Sequence, residues 1–231
     1  MIKKLRYLQY YAKVLLTNWT VNKDSYAQHG EDKLVEQLLP NGVHSFIDIG
    51  ANDGVLFSNS YKFAKKGASG LCVEPSRNSF RKLKLNHLFH PKVKCIQSAV
   101  SNDNGHIFLI EDGYESTLSY VSKSKKNNSY SVRCQTFDKI LEKYPRFLKV
   151  DLLTIDVEGH EKEVFETLTN KYFRAKIIVI ESNKSETNDL INLHSLTNYE
   201  AHFFNGVNTV LLNKHDIFNK LGRLPKGFIK C

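Results

Sequence analysis

Residues 46–54 have the sequence Phe-Ile-Asp-Ile-Gly-Ala-Asn-Asp-Gly (FIDIGANDG), and this segment is the most informative about the fold of the chain. Its first four residues are apolar and β-prone apart from Asp48, which predicts a short buried strand. A carboxylate in such a strand is costly to bury unless hydrogen-bond donors face it. Gly50 and Gly54 allow a tight turn whose backbone can approach a ligand closely. Because helical patterning resumes after the turn, the stretch predicts a nucleotide-type site at the end of a strand.

The composition of the 231-residue chain is typical of a soluble globular domain. Hydrophobic residues make up 41% and charged residues 25% of the sequence, which is enough for one domain with a substantial core. The formal net charge of +9 favours anionic partners such as nucleic acid, phosphorylated sugars or an acidic membrane surface, although a solvated basic surface has the same composition. The four cysteines form no CxxC pair, so we expect reduced thiols, a cytoplasmic protein and no metal site.

Residues 1–22 are predicted to form a basic amphipathic helix that precedes a single domain over residues 23–231. The apolar side chains of the helix are three or four positions apart and therefore share one face: Leu5, Leu8, Ala12, Leu15 and Trp19. This face either packs on the rest of the chain or contacts a partner. In the second case, residues 1–20 would bind peripherally to the inner face of a membrane or form a homo-oligomer. No run is apolar for long enough to span a bilayer, and no signal-peptide cleavage site follows the helix.

Strands and helices alternate through most of the remaining chain, which predicts an α/β fold with a mostly parallel sheet covered by helices on both faces. The predicted strands cover residues 46–49, 70–74, 93–100, 107–110, 131–135, 152–157 and 177–180. The predicted helices cover a segment from Leu34 to Leu39, residues 55–66, the segments that Ser76 and Thr136 would cap, a segment around Val164, and residues near 187–196.

The end of the chain and one internal segment have different patterns. Asn205-Gly206 predicts a hairpin that joins strands at residues 199–204 and 207–212 and adds an antiparallel edge to the sheet. Residues 111–130 have no clear period and are predicted to form a mobile loop over the site. About the last fifteen residues are predicted to be helical in part.

Acidic residues stand near the carboxyl ends of four predicted strands, where ligands bind in parallel α/β sheets. They are Asp48, Glu74, Asp156 and Glu181. Glu74 follows the second strand, a position from which an acid accepts hydrogen bonds from ribose hydroxyls. The glycines of the turn are spaced Gly50-x-x-x-Gly54 rather than GxGxxG, and no GK[ST] follows, which excludes a P-loop. The turn and Glu74 together predict an adenosine-type ligand.

Five segments of the chain resemble, in order, the FkbM-type methyltransferases: YAQHGED at 26–32, FIDIGANDG at 46–54, SNSYKFAKKGASGLCVEP at 58–75, SAVS at 98–101 and LTIDVEGHE at 153–161. The resemblance extends from about residue 26 to residue 181. It implies a Rossmann-like class I methyltransferase fold with a mostly parallel seven-stranded sheet, and S-adenosyl-L-methionine as cofactor. One departure is Thr154, where many members carry Lys.

The resemblance also implies roles for individual residues. The implied cofactor-binding set is Gln28, Asp48, Gly50, Asn52, Gly54, Glu74, Ser98, Ala99 and Asp156. Within this set, residues 48–54 would line the methionine end of the cofactor, Glu74 would bind the ribose, and residues 98–99 would border the adenine. Gln28 would close over the cofactor.

Methyl transfer to a hydroxyl also requires that the hydroxyl lose a proton, which a nearby carboxylate can accept. The candidate catalytic residues are Asp156 and Glu158, which would face the transferring methyl group, and His160 as a weaker candidate. The alternatives are structural: Asp156 would fix the turn, and Glu158 and Glu161 would complement the dipole of the following helix. His160 beside two acids could also complete a metal site, but no further ligands are evident and no metal is predicted.

The predicted function is S-adenosylmethionine-dependent O-methylation of a small-molecule or glycan acceptor, at a sugar hydroxyl. The basic charge suits a phosphorylated or lipid-linked acceptor. A nicotinamide-dependent oxidoreductase is the enzymatic alternative, because Glu74 would bind that ribose equally well, although GxGxxG is missing. A non-catalytic binding protein on the same fold is the other alternative. Nucleic acid is not an expected partner, because the sequence has no aromatic and basic platform of the RNA-binding kind.

Overall fold

The computed structural model describes residues 2–111, 119–122 and 129–231. The helices in these residues are α1 (Ile2–Thr20), α2 (Glu31–Leu38), α3 (Tyr61–Lys65), α4 (Arg77–Asn86), α5 (Phe137–Lys143), α6 (Glu161–Glu166) and α7 (Lys184–Ile191), with short 3-10 turns at Pro145–Phe147 and His194–Leu196. The strands are β1 (Ser45–Ile49), β2 (Ser69–Val73), β3 (Val93–Ile96), β4 (Ala99–Val100), β5 (Gly105–Glu111), β6 (Ser119–Ser122), β7 (Ser129–Gln135), β8 (Lys149–Ile155), β9 (Arg174–Glu181), β10 (Tyr199–Phe204), β11 (Asn208–Asn213) and β12 (Ile229–Lys230).

Eight of the described strands form the main sheet, in the order β12-β10-β11-β9-β8-β1-β2-β3. The pairs from β9 to β3 are parallel, whereas β11 is antiparallel to both β9 and β10. The predicted fold class is therefore confirmed, including the antiparallel C-terminal hairpin. The two-residue strand β12 adds an eighth strand beyond the seven that were predicted, and it lies at the hairpin edge.

The sheet is buried on both faces, as expected of parallel strands that receive helices on each side. Alternate residues of β1 point to opposite layers, so that Phe46 packs in a cluster with α2, α3 and α4. Ile47 packs in a cluster with α5, α6 and α7 on the other face. Because both layers are apolar, the sheet can expose functional groups mainly at the ends of its strands.

A second sheet, in the order β4-β7-β5-β6, departs from the prediction. The single strand predicted over residues 93–100 is two strands, because β3 ends at Ile96 in the main sheet and β4 pairs with β7. Of the loop predicted over residues 111–130, the described residues lie in strands, at the end of β5, in β6 and at the start of β7. Residues 112–118 and 123–128 lie outside the described residues.

Two predicted helices were wrong in part. Within residues 55–66 only α3 is helical, because Asp53 Oδ1 accepts hydrogen bonds from the backbone amides of Val55 at 2.9 Å and Leu56 at 2.8 Å. This local bonding offers the backbone an alternative to a helix. The last fifteen residues contain β12 and turns rather than a helix, and Phe228 packs into the core.

Helix α1 packs on the rest of the chain through its C-terminal half. Leu15 is buried, and Asn18 Nδ2 donates a hydrogen bond to Asn86 Oδ1 of α4 at 3.0 Å. Lys65 Nζ donates to the last carbonyl oxygens of the helix, a favourable place for a cation. Ala12, which the sequence placed on the apolar face, is exposed. No helix in the described part of the chain is both long and apolar enough to cross a lipid bilayer.

Candidate functional site

A cavity of about 280 Å³ opens at the carboxyl ends of β1, β2, β8 and β9. Nearly all of the residues predicted to form the site line this cavity: Gln28, Asp48, Gly50, Asn52, Glu74, Ser98, Ala99, Asp156, Glu158 and His160. Gly54 is not part of the lining. A Cβ at Gly54 would lie 2.6 Å from Leu83 Cδ1, so this glycine allows the turn to pack against α4 rather than against a ligand.

The turn after β1 brings the ends of β1 and β8 into direct contact. Gly50 has φ +84°, and a Cβ there would lie 1.6 Å from the backbone oxygen of Asp156. The Asp156 amide donates a hydrogen bond to the Ile49 carbonyl at 3.0 Å. A side chain at Gly50 would separate these strand ends. The glycine therefore allows the two sides of the cavity to lie in contact.

Asp48 lies at the floor of the cavity and is buried. Its Oδ2 accepts a hydrogen bond from the Ser60 hydroxyl at 2.5 Å. Burial raises the pKa of Asp48 to about 6, although the Ser60 hydrogen bond opposes the shift. The buried carboxylate therefore has the hydrogen-bond donor that the sequence analysis required, and this donor lies just before α3.

Backbone amides fix the Glu74 carboxylate at the end of β2. Glu74 Oε2 accepts a hydrogen bond from the Asn52 amide at 2.9 Å, and Oε1 accepts one from the Ser76 amide at 2.7 Å. The Ser98 amide donates to the Glu74 carbonyl oxygen at 3.3 Å. A carboxylate has about four acceptor positions, so one held in this way can also accept from a vicinal diol. The arrangement fits a ribose-binding acid and places it beside the segment that would border the adenine.

Three carboxyl groups meet on the opposite side of the cavity, at the ends of β8 and β9. Carboxylate oxygens of Asp156, Glu158 and Glu181 lie within 4.8 Å of one another. Desolvation by the surrounding protein atoms raises the pKa of Asp156, and the hydrogen bond and negative charge of Glu181 raise it further, although the residue is exposed at the mouth of the cavity. The pKa of Glu158 is also raised, mainly by desolvation and to a smaller extent by the negative charge of Glu181. Carboxylates at this spacing can accept a proton, and they could also ligate a divalent cation.

The structural alternative is supported for Glu161 and not for Glu158. Glu161 Oε1 accepts hydrogen bonds from the amides of Val157 at 3.1 Å and Gly159 at 3.3 Å, so this side chain holds the turn into α6. Glu158 precedes α6 and has φ +55°, and therefore does not lie in its first turn. His160 lines the cavity, and its Nδ1 is 3.8 Å from Glu163 Oε1.

Several lining residues were not predicted by sequence reasoning as site residues. They are Leu56, Phe57, Ser58, Asn59, Val207 and Asn208, together with strand-end neighbours such as Val73 and Val100. Asn59 Nδ2 donates a hydrogen bond to Thr154 Oγ1 at 3.1 Å, which links this segment to β8. Residues 58–60 belong to a segment that carried the family resemblance, and this was the available signal for them.

Backbone strain in the described chain is concentrated at this cavity. Non-glycine residues with positive φ are Asn52, Phe57 and Glu158, and all three line the cavity. Positive φ is an unfavourable backbone conformation for residues other than glycine. It persists where the surrounding structure enforces it, often at functional sites. The strain therefore supports the assignment of the cavity as the functional site.

The family model described as "Methyltransferase FkbM domain" matches residues 48–207, which is more than half of the chain. Among solved structures, the cofactor-bound protein Rv0187 from MTB is similar, with a TM-score of 0.51 and 10% identity, over 89% of this chain and 90% of that chain. A protein from Staphylococcus aureus, provisionally described as a caffeoyl-CoA O-methyltransferase, has a TM-score of 0.50 and 12% identity, over 89% of this chain and 91% of that chain. At these identities, the likeness shows the fold. No curated protein is significantly similar to the chain in sequence.

Proposed function

Because the chain belongs to the FkbM methyltransferase family and its cofactor is S-adenosyl-L-methionine, we propose that it methylates a hydroxyl oxygen of a sugar or glycan. The observation that carries the proposal is the group of carboxyls formed by Asp156, Glu158 and Glu181 beside the cofactor residues. A hydroxyl, unlike a carboxylate acceptor, has to lose a proton when its oxygen is methylated. Once it has ionised, a carboxylate with a raised pKa is a stronger base for that proton.

The residues of the β1–β2 side fit the cofactor. Glu74 offers a carboxylate to the ribose, and Ser98 and Ala99 form the neighbouring wall. Asp48 and the glycine turn provide the polar end of the cavity, where an amino acid moiety and a sulfonium charge would be held. When bound, S-adenosylmethionine supplies an electrophilic methyl group on a positively charged sulfur. The protein's contribution is to align the acceptor and to exclude water.

The β8–β9 side supplies the groups for the acceptor. Asp156 would take the hydroxyl proton, and Glu158 is the second candidate for this role. Glu181 would act on Asp156, because its carboxyl raises the pKa of that residue. Polar side chains of Asn59, Thr154 and Asn208 also line the cavity. Several hydroxyls of one acceptor could therefore be bound, as a sugar requires.

An oxidoreductase and a non-catalytic binding protein are the alternative functions. An oxidoreductase is disfavoured by the family match, which is to methyltransferases. A binding protein that had lost transfer would bind the cofactor without converting it. All four strand ends have a carboxyl group, and this favours catalysis. Acids without a function would only destabilise the folded state through charge repulsion and the cost of desolvation.

Methyl transfer from isotopically labelled S-adenosylmethionine tests the proposal. The acceptors are free, phosphorylated, nucleotide-linked and lipid-linked sugars, and the product is treated with mild base. We expect label in at least one sugar as a base-stable methyl ether. Label that is released by base would indicate a carboxyl acceptor, and cofactor binding without transfer to any acceptor would favour the binding protein. Glu166→Gln, an exposed carboxyl on α6 outside the cavity lining, is the control variant and should retain normal transfer.

A further inference from the structure

The net positive charge of the chain comes from two acid-free segments, residues 1–23 and 75–102. Together they contain 11 of the 33 Lys and Arg residues and none of the 24 Asp and Glu residues. The rest of the chain therefore has 22 basic against 24 acidic side chains, which is close to neutral. The formal net charge of +9 thus originates entirely in these two segments.

The fold brings the two segments into contact. The rings of Trp19 and Phe89 meet edge to face with their centroids 4.8 Å apart. Trp19 Nε1 donates a hydrogen bond to the Leu85 carbonyl oxygen at 3.1 Å, beside the bond between Asn18 and Asn86. Helix α1, helix α4 and the turn after α4 consequently form one continuous surface, which we call the basic corner (residues 11–23 and 77–94).

All Lys and Arg side chains of the basic corner are exposed: Lys13, Lys23, Arg77, Arg81, Lys82, Lys84, Lys92 and Lys94. The corner also holds five of the ten large apolar side chains that are exposed in the described residues: Leu16, Val21, Leu85, Leu88 and Phe89. Leu88 and Phe89 are the most exposed of these, at 59% and 64%. Apolar side chains surrounded by flexible cations match the headgroup region of an anionic bilayer, where cations meet phosphates and apolar groups insert below them.

We propose that the basic corner docks the protein peripherally on a lipid bilayer that contains anionic lipids. This surface extends the membrane contact predicted for residues 1–20 to α4 and to the start of β3. Nucleic acid would satisfy the charge, but its phosphate backbone offers no apolar phase for the exposed leucines. A second copy is disfavoured, because a two-fold interface would place the same cations opposite each other. The surface lies outside the cavity, so this inference does not depend on the acceptor.

Flotation of the full chain with vesicles tests the proposal. The vesicles consist of phosphatidylcholine alone, or of phosphatidylcholine and phosphatidylglycerol in equal parts. We expect flotation with the mixed vesicles only, weakened by added salt. Lys84→Glu reverses one charge at the surface and should weaken binding at least about 10-fold. Leu88→Glu should also weaken it about 10-fold, because it removes an inserting side chain and adds a negative charge.

Matched control variants lie elsewhere on the surface. Lys171→Glu changes an exposed cation outside the corner, and Ile217→Glu changes an apolar side chain that is 85% exposed. Both should float like the unmodified chain. Equal loss in the controls, or no flotation of the unmodified chain with anionic vesicles, would overturn the proposal. It would also be overturned by a change of molecular mass in Leu88→Glu, which would indicate a second copy, or by oligonucleotide binding without flotation. Thermal unfolding verifies that each variant is folded, and Leu88→Ser replaces Leu88→Glu if the charge prevents folding.

Discussion

On the β1–β2 side of the cavity the Glu74 carboxylate accepts hydrogen bonds from backbone amides, whereas on the β8–β9 side the carboxyl of Asp156 faces Glu158 and Glu181. Both acids follow a buried parallel strand, and both line the same cavity. Donors hold the first carboxylate in one place, a property suited to binding. Desolvation and then the neighbouring carboxyl groups raise the pKa of the second, which makes it a stronger base once it has ionised.

The comparison shows that residue type and position at a strand end do not determine the chemistry of a carboxyl group. Glu74 gains its donors from the turn after β1 and from the start of α4. Asp156 gains neighbours of the same charge, because β9 ends beside β8 with Glu181. Variants that separate the two sides, or that change only one of them, test this difference.

The largest effect is expected where the two sides touch. Gly50→Ala should lower the free energy of unfolding by about 3 kcal/mol or more, because its Cβ would collide with the Asp156 backbone oxygen and because φ is positive. Urea unfolding measures the change. Gly42→Ala is the matched control, since Gly42 also has positive φ but a Cβ there would have no neighbouring atom within 4 Å. It should lose only about 1 kcal/mol, and equal losses in both variants would show that the contact between β1 and β8 does not matter.

On the β8–β9 side, Asp156→Asn should lower kcat by about 10²-fold while the protein stays folded, because an amide cannot accept the acceptor's proton. Steady-state kinetics with the acceptor found by the labelling experiment measures the effect. A kcat near that of the unmodified enzyme would remove Asp156 from this role and would direct attention to Glu158.

On the β1–β2 side, Glu74→Gln should weaken cofactor binding by about 10- to 100-fold, because a hydrogen bond to a charged group is replaced by one to a neutral amide. Isothermal titration calorimetry with S-adenosylhomocysteine measures the affinity. At saturating cofactor, kcat should stay close to normal. A large loss of kcat at saturation would mean that the two sides do not divide binding and proton transfer as we propose.

The smallest effect concerns Asp48, whose pKa burial raises to about 6 in the folded state, above the ordinary value of 3.8. Because the pKa is raised in the folded state, the contribution of Asp48 to the free energy of unfolding is fully present below the ordinary pKa. This contribution is lost as the pH rises through about 6. Asp48→Asn cannot ionise, so it should be more stable than the unmodified chain by about 1 kcal/mol at about pH 8, with no gain below about pH 4. Urea unfolding at the two pH values tests this, and a gain that does not depend on pH would contradict it.

The same variant should bind S-adenosylmethionine less tightly, because a negative charge near the proposed position of the sulfonium is removed.

Much of the fold and most of the candidate site could be predicted from sequence. The apolar strands and the hairpin at Asn205-Gly206 are local patterns, and the structure confirmed the fold class that they indicated. The helix over residues 55–66 failed because the Asp53 side chain bonds the following amides, which apolar spacing does not reveal. The second sheet was missed because a pattern identifies a strand without identifying its partner. The sequence analysis predicted Gly54 as a site residue, because a glycine in a turn can lie against a ligand or against a helix. In the structure Gly54 lies against α4.

The strand, the glycine turn and the acids at the strand ends follow from the amino-acid sequence, because apolar runs and positive φ are properties of neighbouring residues. Which acids lie beside hydrogen-bond donors and which lie beside other acids depends on the three-dimensional packing of the chain. The same packing joins two acid-free segments in one basic corner. These outcomes depend on distances between residues far apart in the chain, such as Gly50 and Asp156, and packing alone sets those distances.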